Sequence, residues 1–232
     1  MGKLAQLWRT GLRSLRIWGN LVAVDELSRS IGSARAVIHS EGFKLILERF
    51  ETSLPGVCEL RPRIFRDARG FFLETYHRTK FAELGITDAF VQDNHSQSVK
   101  GTLRGLHYQL RRPQAKLCRV VEGEAFDVAV DIRIGSPHFG RWTSIVLSAR
   151  EQNQILIPQG FAHGFLALTD RIQFLYKCSE FYDPADEYGI AWNDRTLAIQ
   201  WGIREPLVSA KDSSLPILAA VPRHLLPILE AG

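Results

Sequence analysis

Two histidines carry the clearest chemistry in this chain. His107 lies in Gly101-Thr-Leu-Arg-Gly-Leu-His-Tyr-Gln-Leu110 and His163 in Ile157-Pro-Gln-Gly-Phe-Ala-His-Gly-Phe165, both strand-like apolar stretches. A bound metal asks for three or four converging N, O or S ligands. Here His107 is followed by Tyr108 and Gln109, and no acidic residue occurs from Lys100 to Val121, so the residues point to a pocket without a metal or other cofactor. A neutral His, a Lys such as Lys116 and a Tyr in such a pocket suit proton abstraction beside a carbonyl. The His would take the carbon-bound proton and the Lys would stabilise the enolate oxygen. A Tyr could then return a proton from the opposite face, and acid–base groups of this kind contribute about 10²–10⁴-fold each. Tyr176 and Tyr182 are the candidates, with a packing role in the core as the plain alternative for either.

The elements that must hold these groups read as strands. Ala125-Phe-Asp-Val-Ala-Val-Asp-Ile132 alternates Phe126, Val128, Val130 and Ile132 with small or acidic residues, the period of a sheet with one face inward. Similar runs are expected at 57–60, 71–76, 90–92, 117–121, 142–147, 154–157, 161–168 and 172–178, separated by turn signals such as Asp67-Ala-Arg-Gly70 and Gly135-Ser-Pro137. One helix is expected at about 77–84 and another after Leu215. Many short strands at regular spacing make the chain mainly β, a sandwich or jelly-roll barrel with a few short helices. Pro158-x-Gly160-x-x-His163 resembles the second half-motif of cupin barrels, in which a turn delivers a histidine into the barrel mouth. Strict alternation along Leu103–Leu110 puts Leu103, Gly105, His107 and Gln109 on one side and Arg104 on the other. A bulge near Gly105 could bring Arg104 beside His107.

Charge separates the two ends of the chain. The eight Lys/Arg and four acids of residues 1–50 account for the whole formal net charge of +4, which leaves the body neutral and without a basic field for nucleic acid. Leu4, Leu7, Trp8, Leu12, Leu15 and Trp18 recur at helical spacing among Lys3, Arg9, Arg13 and Arg16, the pattern of a basic amphipathic helix. An extension packed on the body, or residues upstream of the true start, is weighed above contact with a membrane surface. The expected division is an extension, 1–45, and one folded domain, 46–232. Cys58, Cys118 and Cys178 are odd in number, far apart and inside apolar segments, which suits buried thiols in a reducing compartment, the cytoplasm, rather than a catalytic thiol.

From about Gly56 to Leu218 the chain resembles the dTDP-4-dehydrorhamnose 3,5-epimerase family. The match runs through Phe65-Arg-Asp-Ala-Arg-Gly-Phe-Phe-Leu-Glu74, Val91-Gln-Asp-Asn-His-Ser96, Leu103-Arg-Gly-Leu-His-Tyr-Gln109 and Phe126-Asp-Val-Ala-Val-Asp-Ile-Arg133. It continues through the His163 segment, Phe174-Leu-Tyr-Lys177, Ile190-Ala-Trp-Asn-Asp194 and Ser209-Ala-Lys-Asp212. The resemblance implies a metal-free cupin-type jelly roll, a homodimer, that inverts C3 and C5 of dTDP-4-dehydro-6-deoxy-D-glucose on the way to dTDP-L-rhamnose. It implies His107 as the base, oriented by Asp212, Tyr176 as the opposite-face proton donor and Lys116 beside the C4 oxygen. Arg69, Glu74, Gln92, Asp93, Asn94, Arg104, His163, Glu187 and Lys211 fall at positions that contact the nucleotide sugar, and Tyr182 at the aromatic that stacks on thymine.

Plain structural roles stand beside these assignments. Arg69 and Glu74 could form a surface ion pair, Asp93 and Asn94 could cap a loop, Asp212 could cap a helix, and His163 could be a hydrogen-bonded structural residue. Three functional readings also stand: the double epimerase or a relative that inverts only C3 or C5, a metal-dependent cupin enzyme, and a non-catalytic nucleotide-sugar binding module.

Overall fold

The computed structural model describes residues 47–229, preceded by the short strands β1 (Arg16–Ile17), β2 (Asn20–Leu21) and β3 (Arg35–Ala36). The chain falls into two units, residues 1–32 and 33–232. In the first, β1 and β2 pair antiparallel. The amphipathic helix expected over 4–18 is not helix at Arg16–Ile17, which is strand, and the rest of it lies outside the described residues.

The second unit runs through β4 (Leu47–Glu51), β5 (Cys58–Pro62), a hairpin of β6 (Phe65–Asp67) and β7 (Gly70–Phe72), and helix α1 (Arg78–Glu83). Nine strands follow: β8 (Gln92–Val99), β9 (Leu103–Gln109), β10 (Lys116–Glu122), β11 (Glu124–Asp131), β12 (Trp142–Ser148), β13 (Gln154–Ile157), β14 (Phe161–Ala167), β15 (Arg171–Cys178) and β16 (Glu187–Gly189). A short helix α2 (Ala210–Ser213) comes next. The helix expected after Leu215 is two 3-10 turns, Leu218–Ala220 and Arg223–Leu225. Two antiparallel sheets result, ordered β3-β4-β5-β13-β10-β15-β8 and β12-β11-β14-β9-β16. The mainly β expectation holds.

The inner faces of the two sheets share one core. Val120, Ile155, Ile172 and Phe174 of the larger sheet meet Ala125, Ala129, Leu147 and Phe165 of the smaller. Phe165 and Phe174 stack across this gap at 4.0 Å between ring centroids, a contact worth about 0.5–1.5 kcal/mol beyond the area it buries. Helix α1 closes the outside of the larger sheet, with Phe81 and Leu84 packed on Leu60, Leu117 and Leu156.

The outside of the smaller sheet is closed too, and this overturns the reading of β11. Val128, Val130 and Ile132, with Phe126 packed against them, face Ile190, Leu197 and Trp201 of the C-terminal segment, not the barrel interior. The small and acidic residues between them face the interior instead. Both faces of β11 are therefore buried, and the bulky face is the outer one.

Two further expectations differ. The run 71–76 is strand only to Phe72. Strand β8 continues to Val99 where only 90–92 was expected, because Gln-Asp-Asn-His-Ser-Gln-Ser carries no apolar alternation.

Between β14 and β9, His163 stands opposite His107 and Phe165 opposite Arg104, so β9 holds one extra residue there. This is the bulge that the sequence left conditional. Gly105 has φ +117°, and a Cβ on it would fall 2.6 Å from Gly164 Cα and from the His163 carbonyl oxygen. Only glycine fits at that approach. The extra residue turns Arg104 and His107 to the same side.

Candidate active site

A cavity of about 680 Å³ opens where the two sheets meet α2 and β16, a size ordinary for a small-molecule site. His107 projects into it from the bulged strand β9 of the smaller sheet. Lys116 on β10 and Tyr176 on β15 project into it from the larger one. The cavity thus has an imidazole on one wall and a phenol and an ammonium on the other.

Asp212 holds His107. Ser209 caps α2 by accepting the Asp212 N–H at 3.0 Å, which aims the Asp212 carboxylate back at β9. Its Oδ1 lies 2.6 Å from His107 Nε2, and its Oδ2 accepts the Gly105 N–H at 3.3 Å. A carboxylate facing Nε2 accepts the N–H there, which keeps the ring proton on Nε2 and leaves the Nδ1 lone pair free toward the cavity. Burial pushes the Asp212 carboxyl up, but the hydrogen bond and charge of His107, with the Gly105 N–H and Ser209, outweigh it and hold the group below the usual carboxylate range.

Glu187 stands on the other side of the imidazole, with Oε1 3.9 Å from His107 Nδ1. Its Oε2 accepts from the Tyr182 hydroxyl at 2.6 Å and is ion-paired with Lys211. Burial raises the Glu187 carboxyl, yet Lys211, Tyr182 and His107 hold it below its ordinary value. The bond to Glu187, more than burial, pushes the Tyr182 phenol up to about 12.

Tyr176 is ready to donate. Burial, then the neighbouring Cys178, Cys118 and Glu187, push its phenol up to about 12, so it keeps its proton at neutral pH. Its hydroxyl has no hydrogen-bond partner among the described residues. Lys116 likewise makes no hydrogen bond or ion pair among them, a cation free for an incoming oxygen.

Gln92, Asn94, Arg104, His163, Tyr182, Glu187 and Lys211 also line the cavity. Arg104 is held by Ser98 Oγ at 3.0 Å, and Gln92 accepts the Tyr182 N–H at 2.8 Å, which ties the exposed Tyr182 loop to β8. His163 is buried, with Nε2 3.0 Å from both Asp127 oxygens.

Three of the expected residues stand outside the cavity within this one chain. Asp93 alternates with Gln92 and Asn94 on β8, so it faces the opposite side and pairs with Lys177 at 2.8 Å. Arg69 pairs with Asp67 at 2.6 Å on the exposed β6–β7 hairpin, and Glu74 pairs with Lys80 at 2.8 Å. These are ion pairs, though not the Arg69–Glu74 pair that sequence allowed.

Sequence reasoning missed Asp127, Gln109 and Cys178. Gln109 accepts the Asp183 N–H and donates to the Phe181 carbonyl, which fixes the segment carrying Tyr182. Its place two residues after His107 was the available signal. Asp127 could have been read as the one acidic residue in the middle of an apolar strand.

The profile described as dTDP-4-dehydrorhamnose 3,5-epimerase matches residues 51–220. The dTDP-4-dehydrorhamnose 3,5-epimerase of Shigella flexneri is 51% identical over 164 residues, 70% of this chain and 91% of its own. The crystal structure of the Legionella pneumophila dTDP-6-deoxy-D-glucose-3,5-epimerase in complex with dTDP-4-keto-L-rhamnose superposes with a TM-score of 0.78 at 45% identity, covering 80% of this chain and 100% of that one. A 3'-monoepimerase from Streptomyces bikiniensis, solved in complex with dTDP-quinovose, gives 0.72 at 36% identity over 76% of this chain and 91% of its own. A match of this length, through every strand that lines the cavity, means that the chain belongs to the dTDP-4-dehydrorhamnose 3,5-epimerase family.

Proposed function

We propose that the chain inverts C3 and C5 of dTDP-4-dehydro-6-deoxy-D-glucose, giving dTDP-4-dehydro-L-rhamnose for dTDP-L-rhamnose synthesis. One observation carries the reading: His107 with Asp212 and Tyr176 with Lys116 face one cavity from opposite sheets. The hydrogens on C3 and C5 are acidic because the C4 ketone can take the resulting charge as an enolate. His107 Nδ1 removes one of them, and Lys116 steadies the C4 oxygen, where the negative charge develops. Tyr176 returns a proton to the other face of the carbon, which inverts it. Arg104, Gln92, Asn94 and Lys211 supply polar and cationic groups for the diphosphate and sugar, and the exposed ring of Tyr182 offers a surface for the base.

The test is proton NMR of the keto sugar in D₂O. Solvent deuterium entering at both C3 and C5, with inversion, is the expected result. Entry at one carbon would mark a single epimerase, the alternative that the Streptomyces bikiniensis relative keeps in view. No entry despite binding would leave a nucleotide-sugar binding module.

The working unit we infer is a homodimer built on the domain from about residue 46. Arg69 lies on a hairpin whose Phe71 and Phe72 are 53% and 69% exposed, and none of the three lines the chain's own cavity. Aromatic side chains left so open suit burial against a second copy, where Arg69 and Glu74 could reach the nucleotide. Sedimentation at the 26.2 kDa mass of a single chain would overturn this. Three free, buried thiols suit the cytoplasm, which fractionation reads directly. Among the described residues no helix is long and apolar enough to cross a membrane.

A further inference from the structure

Asp127 is poorly matched to its surroundings. It is wholly buried on the inner face of β11, and among the described residues its side chain bonds only to His163 Nε2, 3.0 Å from each oxygen. A carboxylate can accept about four hydrogen bonds. Here a single ring N–H serves both oxygens. Burying an anion with so little compensation is costly. The same nitrogen lies 4.0 Å from the sulfur of Cys118, also wholly buried, so three different donor atoms converge on one point.

We propose that Cys118, Asp127 and His163 form a binding site for a thiophilic divalent cation of the zinc(II) class, entered from the cavity and blocking it when filled. The three ligand atoms all lie within 4.8 Å of one another. Tetrahedral zinc with bonds of about 2.0–2.3 Å spaces its ligand atoms by roughly 3.3–3.6 Å. The His163 nitrogen lies 3.0 Å from the Asp127 oxygens and 4.0 Å from the Cys118 sulfur, so side-chain rotations that draw the sulfur inward close the site.

Charge points the same way. A thiolate, a carboxylate and a neutral imidazole around a doubly charged cation sum to zero, which suits a buried place. The cation binds the sulfur as the thiol proton leaves to solvent, and it binds Nε2 as the imidazole gives up its Nε2 proton to water and takes one back on Nδ1, which keeps the ring neutral. Magnesium and calcium, which want oxygen ligands throughout, do not fit a set with one sulfur and one nitrogen.

His163 is the member that lines the cavity, and it stands directly across the strand pair from His107. The fourth coordination position therefore opens toward the space that a sugar would occupy. Filling it makes the cation an inhibitor that competes with the sugar. Binding itself does not depend on the epimerase reading, because its readout is spectroscopic.

The full chain, freed of metal with a chelator, is titrated with cobalt(II) as the visible stand-in for zinc(II). One cobalt per chain is expected, with a near-ultraviolet thiolate-to-cobalt band and the strong visible bands of four-coordination, all bleached by zinc(II). The bands are expected to vanish in Cys118→Val and His163→Gln and to persist in Cys58→Ser and Cys178→Ser. Valine fills the place of the buried thiol without offering a ligand atom, and circular dichroism checks that each variant is folded. In activity assays Cys118→Val turns over at the wild-type rate without zinc and resists zinc that inhibits the wild type. Absence of the thiolate band in the wild type, its survival in folded Cys118→Val, or its loss in Cys178→Ser overturns the proposal.

Discussion

Alanine in place of His107 is expected to lower kcat for epimerisation by about 10²–10⁴-fold, the usual contribution of a positioned general base, each tenfold being about 1.4 kcal/mol. Binding of dTDP should persist within a few-fold, because the side chains proposed to hold the nucleotide, Arg104, Gln92, Asn94, Lys211 and Tyr182, all remain in place. Steady-state kinetics paired with dTDP titration measure both. The imidazole touches Asp212 at 2.6 Å, so its removal also leaves that buried carboxylate short of a donor. Asp212→Asn separates the two effects. It keeps a side chain of the same size at α2, but its amide no longer holds the ring proton on Nε2, so activity should fall while the fold stays. A His107→Ala enzyme that still exchanges C3 and C5 hydrogens at the wild-type rate would remove the residue from the mechanism.

The second large effect is expected at Tyr176→Phe, and it should split two processes that the wild type couples. In the proposed mechanism proton removal by His107 and charge stabilisation by Lys116 do not involve this hydroxyl, so solvent deuterium should still enter the substrate. Delivery to the opposite face is lost, so inversion should drop by about 10²–10⁴-fold. The tyrosine hydroxyl has no protein partner among the described residues and the ring packs near Phe174 at 6.1 Å, so phenylalanine should leave the melting temperature close to the wild type. Time-resolved NMR in D₂O follows label entry and configuration in one sample. Unchanged inversion would assign the proton to another donor, whereas loss of label entry would place Tyr176 in the abstraction step itself.

Much of this was legible in the chain. Short alternating runs set off by turn residues indicate a β-rich barrel, and β10, β13, β14 and β15 lie where those runs fall. Residue type and neighbours name His107, Lys116 and one of two tyrosines as an acid–base set, the family resemblance chooses Tyr176 and adds Asp212, and all four line one cavity. Cys58, Cys118 and Cys178 are free and buried, as their apolar neighbours suggested. Apart from Asp212 and the choice of Tyr176, these follow from residue type and near neighbours, which is information a sequence holds locally.

Tertiary structure alone decided which way the side chains point and what they meet. Alternation divides a strand into two faces without saying which is inward. In β11 the C-terminal Ile190, Leu197 and Trp201 cover the outside, so bulk marks the outer core and Asp127 is left facing His163. Arg104 joins His107 because Gly105 and Gly164, distant in sequence, approach too closely for any side chain between them. Strand β8 was hidden because one face lines a polar cavity and the other meets solvent, so neither needs apolar residues. Arg69, Glu74 and Asp93 were placed by motif, yet the path of the hairpin and the two-residue period of β8 carry them out of the cavity. A sequence specifies which groups are available for chemistry. Which of them share a site depends on long-range pairing, bulges and the covering of sheet faces, which no local pattern encodes.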